Sequence, residues 1–245
     1  MRKCFLAVAA LAALSGSAFA GDLPSAKESP VFIAPAPNFS WAGAYGGLDV
    51  GGSWGSARHS FNNGAPGGNS NPQGVIGGGY VGYNIQVDHI VFGFEADGQG
   101  SGVKGSYSNS TGGTSVGSTK LNWEAAARGR VGYAIDDKLF YAAGGLTLAG
   151  FNYQGGPFPP PACCGFGMTQ TGVTIGAGVE FALSNNWIGR VEYRYNDFFA
   201  TSGSLPPTYP GVIMAVSNNH YSEVRAGIEY KFGALELPAP VFAKY

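Results

Sequence analysis

Several features that define other protein classes are scarce in this sequence. Only 12% of its 245 residues are charged, it has three cysteines, and no run of 18 apolar residues follows residue 20. The missing run excludes a transmembrane helix. Strands that cross a membrane leave no such run, because alternate residues face away from lipid. A helical membrane protein is therefore excluded, whereas a membrane-spanning β-barrel is not.

The cysteines provide neither a disulfide framework nor a metal site. Cys4 precedes the apolar part of the first twenty residues, and Cys163 and Cys164 are adjacent. Adjacent cysteines cannot cross-link distant elements, and no C-x-x-C pair or Cys/His metal spacing occurs. We predict no cofactor and no metal. The isolated His59 and His89 are expected at solvated loop or turn positions.

The N-terminus has the pattern of an export signal. Residues 2 and 3 are basic, residues 5–14 are apolar, and Ala18-Phe19-Ala20 matches an A-x-A cleavage site. Cleavage there removes two of the 14 basic residues and leaves 12 against 15 acidic ones, a net charge of −3. A mildly acidic exported protein is not expected to bind nucleic acid.

Composition divides the chain into four segments. We predict a signal peptide at 1–20, a Pro-rich periplasmic leader at 21–39, a β domain at 40–233 and a C-terminal extension at 234–245. The leader has four prolines and little periodicity, which is typical of extended chain. The remaining length fits one large all-β domain.

Strands are indicated by a two-residue period in hydrophobicity. In residues 121–134, one parity carries three charges, on Glu124, Arg128 and Arg130. The other parity is apolar and includes Leu121, Trp123, Val131 and Tyr133. A strand with one charged and one apolar face suits a membrane barrel, in which one face meets the lumen and the other meets lipid. We therefore expect these four apolar residues to face lipid.

Eight strands are predicted, at 41–54, 75–87, from 90 onward, 121–134, 139–153, 171–182, 187–197 and 219–232. The fifth has large apolar residues at both parities, so its facing stays open. Connections alternate between short turns and long polar loops, the loops being 58–71, 103–119, 154–170 and 199–218. This alternation predicts an all-β fold, an eight-stranded antiparallel up-and-down transmembrane β-barrel with short periplasmic turns and long extracellular loops.

Fourteen charged residues fall on the predicted inner faces of the strands. The eight acids and six bases nearly balance. Side chains can just fill the interior of an eight-stranded barrel, and buried charges are tolerated when paired. We therefore predict a lumen closed by ion pairs rather than an open pore. The residues are Asp49, Glu95, Asp97, Glu124, Arg128, Arg130, Glu180, Arg190, Glu192, Arg194, Glu223, Arg225, Glu229 and Lys231.

Short motif matches do not predict an enzyme. The G-x-G-x-x-G at 77–82 and the G-x-S-x-G at 51–55 lack the helix that each motif requires. His220 and Ser222 share a lipid-facing parity near the loop end of the last strand, which resembles the arrangement in lipid A deacylase barrels. No third, orienting acid is evident, so we predict no catalytic residue.

Four segments carry a family resemblance: SWAGAYGGLDVGGSWG, WEAAARGRVGYAIDDKLFYAAGGL, NNWIGRVEYRYNDF and EVRAGIEYKFG. With them, residues 40–233 resemble the Omp25/Omp31-type outer-membrane proteins of alphaproteobacteria, also called outer-membrane immunogenic proteins. The resemblance implies an eight-stranded barrel in the cell outer membrane that contributes to envelope integrity, surface antigenicity and host contact. Porin-like or haemin-binding roles are implied for some members. This chain departs from the general barrel pattern by continuing past Phe232, so the aromatic signal for assembly is either internal or terminal.

These observations favour a structural and surface barrel over a narrow porin, a haemin- or small-solute-binding barrel or, more distantly, a lipid A-modifying enzyme. The expected partners are outer-membrane lipid and lipopolysaccharide, the outer-membrane assembly machinery, and host or surface ligands that contact the long loops.

Overall fold

The computed structural model describes residues 39–62, 67–109, 115–157, 165–204 and 213–233. The predicted signal peptide, nearly all of the leader, the C-terminal extension and the Cys163-Cys164 pair lie outside them. Within these ranges, no helix is long and apolar enough to cross a membrane. The strands are β1 (Gly43–Phe61), β2 (Gly68–Ser70), β3 (Gln73–Val87), β4 (Ile90–Ser101), β5 (Lys104–Asn109), β6 (Ser115–Ile135), β7 (Lys138–Pro157), β8 (Gly165–Ala182), β9 (Trp187–Phe198), β10 (Thr201–Ser204) and β11 (Ile213–Gly233).

Eight long strands form a closed antiparallel ring. Its order is β1, β3, β4, β6, β7, β8, β9 and β11, and β11 pairs with β1 from Gly233 opposite Ala44 to Met214 opposite Phe61. Each long strand therefore lies beside its sequence neighbour, as in an up-and-down barrel. The short strands β2, β5 and β10 pair at the end where the long connections lie. The predicted fold class is confirmed.

The short connections lie at the other end of the barrel. Two of them begin with an aspartate in the left-handed region, Asp88 with φ 53° and Asp136 with φ 51°. Aspartate tolerates this conformation better than most residues because its short side chain can bond to nearby backbone. The third short connection, residues 183–186, joins β8 to β9. These tight turns bring successive strands directly into antiparallel pairing.

At the loop end, the strands are longer than the sequence predicts. β1 continues to Phe61, β7 continues to Pro157, and β11 begins at Ile213. Residues 104–109, predicted as loop, form β5 against the start of β6. Gly, Ser, Thr and Asn conceal strand periodicity here, but the backbone groups are still satisfied by pairing with neighbouring strands. The four predicted loops are therefore too long, and the barrel wall is extended at this end.

The outer surface of the barrel carries a continuous apolar band. Exposed side chains on it include Leu48, Val81, Phe94, Leu146, Ile175 and Ile228. Trp54 and Trp123 lie near its loop end, and Trp187 and Tyr230 lie near its turn end. An apolar band between aromatic girdles is the surface that outer-membrane barrels present to lipid.

One of the residues predicted to face lipid points into the barrel. Leu121 pairs with Phe151 and Trp123 pairs with Gly150, so Asn122 is an extra residue in β6. A one-residue bulge reverses the facing of the strand beyond it. Trp123 is 41% exposed, as expected, whereas Leu121 is fully buried. The prediction for Leu121 is wrong because a bulge leaves no signal in the local alternation.

The facing of β7, which the sequence left open, is resolved. Leu139, Tyr141, Phe151 and Tyr153 are buried in the lumen, as are the odd-numbered residues Thr147 and Ala149 between them. Even-numbered residues such as Phe140, Leu146 and Leu148 face outward. Both parities of β7 are apolar for different reasons. The outward residues belong to the apolar outer band, whereas inward residues near the two ends of the strand, such as Leu139 and Phe151, belong to apolar clusters inside the barrel.

Candidate functional site in the barrel lumen

The lumen-facing side chains form three layers along the barrel axis. A cluster at the turn end contains Trp41, Val91, Ala134, Leu139 and Ile188. A larger cluster at the loop end consists of Ala57, Ile76, Val103, Leu121, Ala149, Phe151, Tyr153, Phe198, Met214, Val216 and Tyr221. Charged residues occupy the middle layer. Sequence reasoning missed both apolar layers, although buried-face aromatics such as Phe151 and Tyr221 carried a signal for them.

Two arginines and two glutamates form the centre of the middle layer. Arg190 donates through Nη1 to Glu95 Oε2 at 2.7 Å and through Nη2 to Glu192 Oε2 at 2.6 Å. Arg128 donates to Glu192 Oε1 at 2.9 Å and also to Glu95. All four side chains are buried. Each carboxylate is thus shared by two guanidinium groups, an arrangement that satisfies buried charges on both sides.

Several of these hydrogen bonds cross the lumen. Glu95 and Asp97 are on β4, which is four strands away from β9 in either direction around the ring. Arg190 of β9 reaches Glu95, and Arg194 of β9 donates to Asp97 Oδ1 at 2.9 Å. Strands β6 and β11 are also opposite, and they are joined between Glu124 and Arg225. Side chains from opposite walls of the barrel are therefore hydrogen-bonded at three places.

Tyrosines fill the spaces between the charged groups. Arg130 donates to Tyr45 Oη at 3.0 Å and to Glu180 Oε1 at 2.7 Å. Tyr141 Oη donates to Glu192 at 2.7 Å and accepts from Arg190 Nε at the same distance. The guanidinium carbon of Arg130 lies 4.1 Å from the centroid of the Tyr141 ring, close enough for a cation–π contact.

Thirteen of the fourteen predicted lumen charges form one connected cluster. Arg128 links its two halves, since its Nε is 3.7 Å from Asp97 as well as bonded to Glu95. Asp49 joins through Arg225 at 3.9 Å, and Glu229 joins through Arg190 at 4.0 Å. The cluster brings together Asp49, Glu95, Asp97, Glu124, Arg128, Arg130, Glu180, Arg190, Glu192, Arg194, Glu223, Arg225 and Glu229.

Lys231 is the predicted member that stands apart. Its Nζ donates to the backbone oxygen of Ser40 and lies 4.2 Å from the centroid of the Phe39 ring. It is half-buried at the turn end of the barrel. The central cluster therefore contains eight carboxylates and five guanidinium groups rather than eight acids and six bases.

The inner-face glycines are covered by large side chains. A Cβ atom on Gly47 would lie 2.6 Å from the Tyr80 ring and 2.7 Å from Glu229 Cβ, and one on Gly82 would overlap Tyr45 Oη. The space above these glycines is therefore occupied by side chains from neighbouring strands.

His59 is buried at the loop end, contrary to the expectation of a solvated position. Its Nε2 lies 3.1 Å from Ser70 Oγ and 2.9 Å from Thr119 Oγ1, and its ring stacks on Tyr107 at 4.9 Å. The residue lies five positions beyond Trp54, above the apolar band. Burial lowers the pKa of His59 to about 4, so its imidazole is neutral at physiological pH. The extension of β1 past the predicted loop start at residue 58 explains the wrong expectation.

His220 and Ser222 lie on the outer surface of β11. Ser222 Oγ is 3.0 Å from Tyr193 Oη, and the His220 ring stacks on Tyr195 at 6.0 Å. Asp197 is opposite His220 in the register, so an acid that sequence reasoning missed is nearby. In the part of the chain that the structure describes, no hydrogen bond joins His220 to either Ser222 or Asp197. A nucleophile activated by a base requires such contacts.

The chain matches known outer-membrane proteins. The family model described as "Outer membrane protein beta-barrel domain" matches residues 6–232. The 31 kDa outer-membrane immunogenic protein of Brucella melitensis is 34% identical over 241 residues, which covers 92% of this chain and 98% of that protein. The 25 kDa outer-membrane immunogenic protein of Brucella canis is 33% identical over 236 residues, covering 95% of this chain and 99% of that one. Among solved structures, OprG of Pseudomonas aeruginosa is 12% identical with a TM-score of 0.46, covering 79% and 97%.

Proposed function

Since the chain belongs to the outer-membrane β-barrel family and is located in the cell outer membrane, we propose that it is a structural and surface-contact protein of the envelope. In this proposal the barrel carries no solute and catalyses no reaction. The observation that carries it is the 2.7 Å hydrogen bond between Glu95 and Arg190, which joins opposite walls through the middle of the lumen.

The layers above and below support a closed lumen. An aqueous channel needs a continuous path of water, but apolar clusters lie at both ends of the charged layer. Such clusters exclude water from the route that a solute would follow. The protein is then a stiff cylinder held in lipid by its outer band, with its extended wall raised above the membrane.

A narrow porin is the competing function, and the structure supplies an argument against it. A water path along β1 and β3 would have to use the room left by inner glycines such as Gly47 and Gly82. Tyr80, Tyr45 and Glu229 already take up that room. Binding of haemin or another small solute inside the barrel faces the same obstacle.

Conductance in planar bilayers tests the closed barrel. We expect no reproducible ohmic step from the purified protein. A Glu95→Ala/Arg190→Ala double variant removes the central contact across the lumen and should conduct more often than the parent. Lys138→Ala, an exposed turn variant, is the matched control. A regular step from the unmodified protein would overturn the proposal.

The absence of catalysis is also part of the proposal. It is supported by the separation of His220 from Ser222 and by the bond of Ser222 to Tyr193. Incubation with lipopolysaccharide should release no acyl chains. Release that Ser222→Ala abolishes would overturn this part of the proposal.

The proposal also includes the organisation of the chain into segments and two kinds of partner. These are the segment boundaries at 1–20, 21–39, 40–233 and 234–245, insertion by the assembly machinery, and contact of the long loops with host or surface ligands. The mass of the mature protein tests the first boundary, because cleavage after Ala20 leaves 225 residues.

A further inference from the structure

Two lysines face each other on the extended wall. Lys104 of β5 and Lys120 of β6 are direct partners in the antiparallel register, and both are exposed. Directly opposite residues on one face of such a pair have Cβ atoms about 5 Å apart, and like charges there are destabilising. Among the described residues, no carboxylate lies within ion-pair distance of either lysine. An anion bound between them would remove the repulsion.

The lysines border a polar cleft. Its volume is about 520 Å³, and its other side chains include Ser106, Ser118, Asn152 and Gln154. Ser118 Oγ donates to Gln154 Oε1 at 3.4 Å, which leaves the amide nitrogen of Gln154 as a donor. The cleft thus combines two positive charges with hydroxyl and amide donors, the groups that hold phosphate or carboxylate oxygens in proteins.

The height of the cleft indicates which anion reaches it. Along β6, the outward residues from Ile135 to Trp123 belong to the apolar band, and the next outward side chain after the bulge is Lys120. On β7, the exposed Leu148 belongs to the band, and the polar Asn152 lies further toward the loop end, where it pairs with Lys120. The cleft therefore begins directly above the Trp123 girdle, at the level where lipid headgroups meet water.

We propose that Lys104 and Lys120, with the amides and hydroxyls around them, form a binding site for the anionic headgroup of an outer-leaflet glycolipid. Lysine stems lie along apolar surface while their ammonium groups reach the headgroup layer, and an ammonium is a suitable point charge for phosphate. The inference rests on the proposed function in that it names one lipid partner of the same barrel, which would fix the height of the barrel wall in the outer leaflet.

Lipid binding by purified barrels tests the site. Folded protein in detergent is titrated with purified lipopolysaccharide that carries phosphorylated lipid A, and binding is followed by native mass spectrometry. We expect Lys104→Gln/Lys120→Gln to bind about 10- to 30-fold more weakly, since each basic residue near an anionic surface contributes about 1 kcal/mol. Lys104→Arg/Lys120→Arg should retain binding, and Lys138→Gln, an exposed lysine at the opposite end, should leave it unchanged.

Unchanged affinity in the glutamine variant would overturn the proposal, and so would equal affinity for lipid A stripped of its anionic groups. Displacement of the lipid by millimolar inorganic phosphate would also overturn it, because that result would indicate a site for free anions. A heat-modifiable band on a gel confirms that each variant is folded. The outcome is separate from the conductance test, because a conducting barrel that still binds the lipid overturns the closed lumen alone.

Discussion

Glu95 and Arg190 are 95 residues apart in sequence and lie on opposite walls of the barrel, with Glu95 Oε2 accepting from Arg190 Nη1 at 2.7 Å. Both side chains are removed from water. Removing one partner of such a pair leaves an uncompensated buried charge, whereas removing both can be much less costly. The contact thus ties two distant strands to one another.

A double-mutant cycle on this pair should show strong coupling. We expect Glu95→Leu and Arg190→Met each to lower the free energy of unfolding by about 3–5 kcal/mol. The double variant should lose less than the sum of the single losses. Urea unfolding in lipid vesicles, followed by tryptophan fluorescence, provides the values, and strictly additive losses would contradict the coupling.

Charge reversal at Arg128 should be among the most damaging substitutions. Arg128→Glu places a third carboxylate beside Glu95 and Glu192, where like charges have no solvent to screen them. We expect the folded, heat-modifiable band to disappear or to shift to a lower melting temperature. Lys138→Glu, at an exposed turn, is the control and should behave as the parent does. An unchanged band for Arg128→Glu would show that this arginine is dispensable.

Leu121 and Val131 have the same parity in the sequence but different surroundings in the barrel. Leu121→Ala creates a cavity in the loop-end cluster and should cost about 2–5 kcal/mol of stability. Val131→Ala removes a side chain from the lipid-facing surface, so we expect a loss below about 1 kcal/mol. Equal losses in urea unfolding would place both residues in the same environment and contradict the bulge at Asn122.

Two glycines of β1 offer a matched test of lumen packing. Gly47→Ala introduces a Cβ atom 2.6 Å from the Tyr80 ring, whereas Gly52→Ala meets no heavy atom within 4 Å. Overpacking should cost about 1–3 kcal/mol at Gly47, and Gly52→Ala should be neutral or stabilising. Tolerance of alanine at both positions would indicate free space in the lumen and would favour a porin.

The burial of His59 predicts a dependence of stability on pH. Its pKa is about 4 in the folded barrel, below the ordinary value of 6.5, so the unfolded chain binds the proton more tightly. The stabilisation is therefore complete above pH 6.5 and is lost as the pH falls toward 4. The groups that face His59 are Ser70, Thr119, Tyr107 and Tyr153, none of which gains a charge in this range.

We expect the extended wall to become susceptible to proteolysis near pH 5, with a stability loss on the order of 2 kcal/mol relative to pH 7.5. His59→Gln should remove that difference while the carboxylates elsewhere still titrate. His89→Gln, at a turn on the other end of the barrel, is the control. A pH response that persists in His59→Gln would assign it to other groups.

Much of the barrel could be predicted because its determinants are local. The alternation in β8, β9 and β11 sorts Glu180, Arg190 and Glu223 from their lipid-facing neighbours, since the side-chain period of a strand is two residues. Tight turns between strands and long connections at the other rim then order the strands around the ring. The extension of β1 and β7 was missed because residues such as Gly and Ser pair through their backbones and leave no hydrophobic pattern.

The sequence by itself determined the eight-stranded wall and the face on which most charges lie, because each depends on neighbouring residues. Tertiary structure decided which charges meet, because partners across a closed ring depend on the stagger of all eight strands and on the reach of each side chain. Tertiary structure also placed Leu121 inside the barrel through a bulge in β6, and His59 inside through the extension of β1. It placed Lys231 beside the Phe39 ring at the rim, away from the central cluster.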